Sequence, residues 1–165
     1  MNGADALSTI AEVAMALTGF TGILTVFRHQ QHWTRIELIA LSHLLGIGIG
    51  ASFFALLPMP LLVSSLPIAV TWRLCLPALG IGIMGLVVWN DRNRRRHHIR
   101  PRWRFAYWPL QSLGFGLAAL LIGAACTSML RHPALYLAGL LWMVLVGMLQ
   151  FMVQVLRSLP PPKDN

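Results

Sequence analysis

The sequence predicts an all-α protein: a polytopic transmembrane helix bundle of five spans, with the N-terminus outside and the C-terminus inside. Three observations lead there. Of 165 residues, 56% are hydrophobic and only 11% charged, less than half the roughly 25% charged residues of an ordinary soluble domain. Mean hydropathy is correspondingly high, at +0.66. The apolar residues fall in five stretches long enough to cross about 30 Å of hydrocarbon as a helix, which takes roughly 20 residues. Only helices satisfy every backbone hydrogen bond within such segments. One domain, residues 1–165, accommodates all five.

The first span covers residues 6–27. No basic residue precedes it and its first Arg, Arg28, follows it, the pattern of a retained N-out span and not of a cleaved leader. Ala11, Ala14, Thr18, Thr21, Gly22 and Thr25 give it a small-residue face. RHQQHWTR (28–35) separates it from the second span, 36–57, which carries Gly46 and Gly50 at GxxxG spacing with Gly48 between. PMPLLVSSLP (58–67) then holds three prolines, a break before the third span at 69–90, with Gly80, Gly82, Gly85 and an internal Pro77. The string LGIGI occurs in both spans, at 45–49 and 79–83. DRNRRRHHIRPRWR (91–104) precedes the fourth span, 107–128, with Gly114, Gly116 and Gly123. Arg131-His132-Pro133 ends it, since proline cannot continue a helix, and the fifth span runs over 134–156. Small residues let helices approach closely in lipid, where no hydrophobic effect draws them together. Their abundance predicts tight packing within the chain, with a seam between copies as the alternative.

Orientation follows from the basic residues, which favour the cytoplasmic side. With the N-terminus outside, eleven of the thirteen Lys and Arg lie inside, and only Arg73 and Arg131 lie outside. Seven of the eleven are Arg92, Arg94, Arg95, Arg96, Arg100, Arg102 and Arg104. Beside an anionic leaflet each contributes on the order of 1 kcal/mol, so anionic lipid headgroups are their expected partners. Without a recognisable binding fold around it, this segment predicts no nucleic-acid partner. Trp33, Trp72, Trp89, Trp103, Tyr107, Trp108 and Tyr136 fall near span ends, where amphipathic rings favour headgroups. Trp142 alone lies well inside.

Ionisable groups at membrane depth cost roughly 2.5–3.5 kcal/mol on insertion scales and need a reason. Glu12 is the one acid well inside a span. Arg73 and Arg131 lie toward the same face, so the first expectation is an ion pair fixing the first helix against the third or fifth. A pathway carboxylate is the second. Toward the inner side, His43, Gln111, Gln150 and Gln154 form a candidate polar cluster; Gln150 and Gln154, one turn apart, share a helix face. Cys75 and Cys126 both fall near outer span ends, which permits a disulfide, although two unpaired thiols are the preferred reading. His29/His32 and His97/His98 lack an acid or Cys at ligand spacing, so no metal site is expected. No cofactor is expected either, since no second His lies inside a span to complete a haem ligand pair.

Enzyme chemistry is not predicted. Five acids leave little for acid–base work, and GxSxG, HExxH and phosphate-cradling loops are all missing. The leading expectation is therefore a non-enzymatic structural or accessory subunit of a membrane assembly, joined to other membrane subunits or to itself. The alternative is a homo-oligomeric ion channel with Glu12 at the external side of its pathway. Against it, a helical wheel places Glu12 on the far side of the helix from the Thr18, Thr21 and Thr25 stripe.

AEVAMALTGFTG (11–22), SFFALLPMPL (52–61) with TWR (71–73), and YLAGLLWMVLVGMLQF (136–151) together resemble a group of small bacterial inner-membrane proteins of uncharacterised function. That group opens with an AE…GF.G helix, follows with a helix ending in LLP, and closes with a Tyr/Trp-rich helix. The resemblance implies a bacterial inner-membrane setting and no activity. LTGF (17–20), LIALS (38–42) and FAL (54–56) are also similar to stretches in the first two helices of Orai-type calcium channels. Those channels have four spans in the opposite orientation and place their acid after the Gly-Phe pair, not before it.

Overall fold

A computed structural model describes residues 3–27, 35–64, 67–96, 104–127 and 133–158, and no strand occurs among them. The elements are α1 (Gly3–Phe27), α2 (Arg35–Leu56), α3 (Pro58–Val63), α4 (Ile68–Arg96), α5 (Arg104–Cys126) and α6 (Pro133–Ser158). Five of the helices are long and apolar enough to cross a membrane. The chain is thus an all-helical bundle with five membrane-spanning candidates, as its hydropathy predicts.

Two boundaries depart from expectation. Helix α4 continues past the apolar run through Asp91 and Arg92 to Arg96. Backbone hydrogen bonding does not depend on side-chain polarity, and three arginines in the last turn face the negative end of the helix dipole, which stabilises them there. The proline-rich break also contains the short helix α3. Leu57, between α2 and α3, keeps helical backbone angles (φ −54°, ψ −39°), so the chain bends without fully unwinding. Pro58 and Pro60 fit because early helical positions need no N–H donor.

Each helix buries one stripe at three- and four-residue spacing: Leu7, Ala11 and Ala14 on α1; Leu44, Ile47, Ala51 and Ala55 on α2; Leu76, Leu79 and Ile83 on α4; Leu121 on α5; Leu140 and Met143 on α6. Only 22–39% of each span is buried, and the remaining faces carry Ile23, Ile49, Phe53, Ile81, Leu120, Leu141 and Met152 in the open. That apolar exterior suits lipid, not water.

Helix α6 is the hub, packing against α1, α2, α4 and α5. Helix α1 rests on α2 and α6 at one edge, and α5 rests on α4 and α6 at the other. The glycines of the second span are shared among neighbours: Gly46 lies against Leu86 and Trp89 of α4, Gly50 against Met143 and Leu86, and Gly48 against Thr18 of α1. At Gly114 on α5 the Trp142 ring of α6 occupies the space a Cβ would need. Part of each small-residue face therefore serves packing inside this chain, while Gly19, Gly22, Gly85, Gly116 and Gly123 have no neighbour within 4 Å of a Cβ.

Candidate functional site

Polar groups collect at the arginine-rich end of the bundle. The His43 Nδ1 lies 2.8 Å from Gln150 Oε1, while Gln150 Nε2 donates to the Ala40 carbonyl at 3.3 Å. Because an amide oxygen only accepts, the Nδ1 of His43 carries the proton in this contact. The imidazole stacks on Trp89, with centroids 5.7 Å apart and planes 24° off parallel. One buried residue thereby links α2 to α6 and α4.

The expected four-residue inner cluster is only partly assembled. Gln111 works separately, its Nε2 donating to the Val87 carbonyl of α4 at 3.1 Å. Gln154 is buried one turn beyond Gln150, and its Nε2 has no hydrogen-bond partner. His43 and Gln150 meet, whereas Gln111 and Gln154 do not join them.

The basic residues divide similarly. Arg92, Arg94, Arg95 and Arg96 project from the last turns of α4, and Arg95 Nε donates to Asp91 Oδ2 at 2.7 Å, one turn back. Arg104 opens α5; Arg100, Arg102 and Arg131 lie outside the described residues. Both cysteines are free, Cys75 buried and Cys126 exposed on the last turn of α5.

The ion pair expected between Glu12 and Arg73 does not form. Helix register explains why. A Cβ on Gly147 would meet Leu17, so α1 and α6 are level at those positions. Five residues back on each, Glu12 is level with Trp142. Leu79 likewise meets Gly139, which places Arg73 level with Pro133, the first residue of α6. Nine residues of α6 separate the two levels, ~14 Å at 1.5 Å per residue. Helix α1 also packs on α2 and α6, and both side chains are exposed.

Glu12 therefore sits in the middle third of the bundle, on the face of α1 directed away from the core. Its one hydrogen bond is a long one, accepted from Ser8 Oγ at 3.5 Å. The hydroxyls on the opposite face are engaged with their own helix: Thr18 donates to the Ala14 carbonyl at 2.9 Å and Thr21 to the Leu17 carbonyl at 2.7 Å. Beside the Glu12 face, Met15, Thr18, Ile49 and Phe53 help line an open groove of about 330 Å³ between α1 and α2.

Sequence reasoning missed the polar contact at the far end. Tyr136 was expected at the headgroup boundary, but it is fully buried. Its hydroxyl donates to the Phe54 carbonyl at 2.5 Å, and its ring packs edge-on to Trp72 at 5.6 Å. The signal was present in the sequence. In a helix the Phe54 carbonyl would accept from residue 58, and residue 58 is proline, which has no N–H. Tyr136 supplies the donor that Pro58 lacks.

No family model, curated protein or solved structure matches this chain.

Proposed function

We propose that this chain is a non-enzymatic subunit of a bacterial inner-membrane assembly, oriented N-out and C-in, and that it joins the assembly through the outer face of α1. Glu12 carries this reading. A carboxyl group facing lipid near mid-depth costs roughly 2.5–3.5 kcal/mol, and among the described residues no cation pairs with it. A neighbouring membrane protein seated on α1 would remove that cost. Three other intramembrane polar contacts work as fixed links: His43 with Gln150, Gln111 with the Val87 carbonyl, Tyr136 with the Phe54 carbonyl. They support a scaffold, since none stands open along a path. Arg92, Arg94, Arg95 and Arg96 would rest on anionic headgroups of the cytoplasmic leaflet, holding the bundle upright.

The channel reading has less support. Thr21, on the side of α1 opposite its carboxylate, is buried in the core, and the Thr18 hydroxyl is bonded to the Ala14 carbonyl of its own helix.

The test is purification in lipid nanodiscs or mild detergent. The wild-type chain is expected in a species larger than one copy, and Glu12→Leu is expected to release it as a folded single chain. A wild-type protein that runs as a lone chain, stabilised by Glu12→Leu, would overturn the proposal.

A further inference from the structure

Resting on that reading, we infer that the partner on α1 is a second copy of this chain, related by a twofold axis along the membrane normal, with the two Glu12 carboxyl groups hydrogen-bonded to each other. Three observations lead to this occupant.

The first concerns depth. Rotation about the membrane normal leaves every residue at its own level, so Glu12 can meet only what another copy exposes at the level of Trp142. The residues exposed near that level on the other helices are apolar: Phe53, Ile81, Gly85, Gly116, Leu120, Leu141 and Leu145. The polar groups a second copy offers at that level thus lie on its own α1, where Ser8 and Thr9 sit within one turn of Glu12, and a twofold axis brings a residue directly onto its counterpart. A carboxyl group is self-complementary, since its acid form carries both a donor and an acceptor.

The second is close approach. Ala16 and Gly19 share the Glu12 face, and a Cβ on Gly19 would meet nothing within 4 Å. The backbone of a parallel helix can therefore come near enough for two short carboxyl side chains to reach each other.

The third is shape. At about 100° per residue the Met15 flank, where the groove opens, lies about 60° to one side of Glu12, and Phe20 lies about 80° to the other. A twofold axis turns the Phe20 flank of one copy toward the groove of its partner, and Phe20 is 58% exposed. Projection and recess both recur by symmetry, giving two apolar contacts around one polar centre.

Disulfide trapping in native membranes tests this on the full chain, with Cys126→Ser removing the exposed native thiol. Gly19→Cys is expected to give a covalent dimer of the chain, and Gly116→Cys, on an open face of α5, is not. Glu12→Gln, whose amide can pair with itself, should keep the Gly19→Cys cross-link. Glu12→Lys should reduce it at least tenfold while helical content and thermal unfolding stay intact. Absence of the Gly19→Cys dimer, or a dimer equally abundant with Glu12→Lys, would overturn the inference. If Gly19→Cys traps only a different polypeptide, the second copy is excluded while the assembly reading survives. If it traps nothing and the protein runs as a single chain, both fail.

Discussion

Tyr136 shows how one backbone rule reaches across the molecule. Pro58 leaves the Phe54 carbonyl without its helical donor, and Leu57 holds helical angles, so that carbonyl points where an N–H at position 58 would be. Burying it without a partner would be costly, and the Tyr136 hydroxyl removes the cost while tying α6 to α2. Tyr136→Phe is therefore expected to destabilise the protein by about 1 kcal/mol, the scale of interhelical hydrogen bonds in membranes. In a Pro58→Ala background residue 58 regains its N–H, and the same change should cost distinctly less. Unfolding midpoints of the four proteins in the cycle decide the matter, and equal losses in both backgrounds would refute this coupling. His43 and Gln150 make a parallel case at the other end. Each single replacement by Leu should destabilise, and the pair should show a coupling energy of about 0.6–1.7 kcal/mol. Additive losses would mean that the 2.8 Å contact contributes nothing.

Among the helices, stability depends on the places where backbones come close. A Cβ at Gly80 would press on Leu121 and on the Ala118 carbonyl of α5, and a carbonyl cannot swing aside as a side-chain tip can. Gly80→Val should therefore push α4 and α5 apart and cost about 1–3 kcal/mol, the usual penalty of overpacking. Gly116→Val, with nothing near it, should be tolerated, and a matched pair of unfolding curves checks both. The same contrast shows what could be read from the chain alone. Span number and order were legible because crossing lipid demands length and apolarity, both local properties. Depth was not. Measured along its own helix, Glu12 looked close to the level of Arg73, but the seating of Leu17 at Gly147 slides α1 inward relative to α4. Hydropathy likewise ended the third span near residue 90, while the helix itself runs to Arg96. Tyr136 had the pattern of a boundary aromatic, and only the missing donor at Pro58 explains why it is drawn into the core. Which small residues pack inside and which face outward also depended on neighbours: Gly114 receives Trp142, whereas Gly19 and Gly116 receive nothing.

At the scale of the whole molecule, two ends of unequal charge flank an apolar middle, and that asymmetry is expected to set the direction of insertion. Arg92, Arg94, Arg95 and Arg96 lie at one end of α4, with Arg73 near the other. Translocating the arginine-rich end would carry several cations across lipid, so retention on the cytoplasmic side is expected. The protein contains its own reporter for this. Cys126, on the last turn of α5, is exposed at the opposite end, while Cys75 is buried and shielded from reagent. A membrane-impermeant maleimide should therefore label the wild-type chain in intact cells, and Cys126→Ser should abolish the signal. Asn93→Cys in that serine background places a thiol among the arginines without altering their number. It should react only after the membrane is opened, and labelling of Asn93→Cys in intact cells would reverse the orientation. Glu12 would keep its depth in either case, because depth follows from helix register and not from sidedness. The twofold contact through α1 therefore survives a reversal, whereas the role given to the arginines on the cytoplasmic leaflet does not.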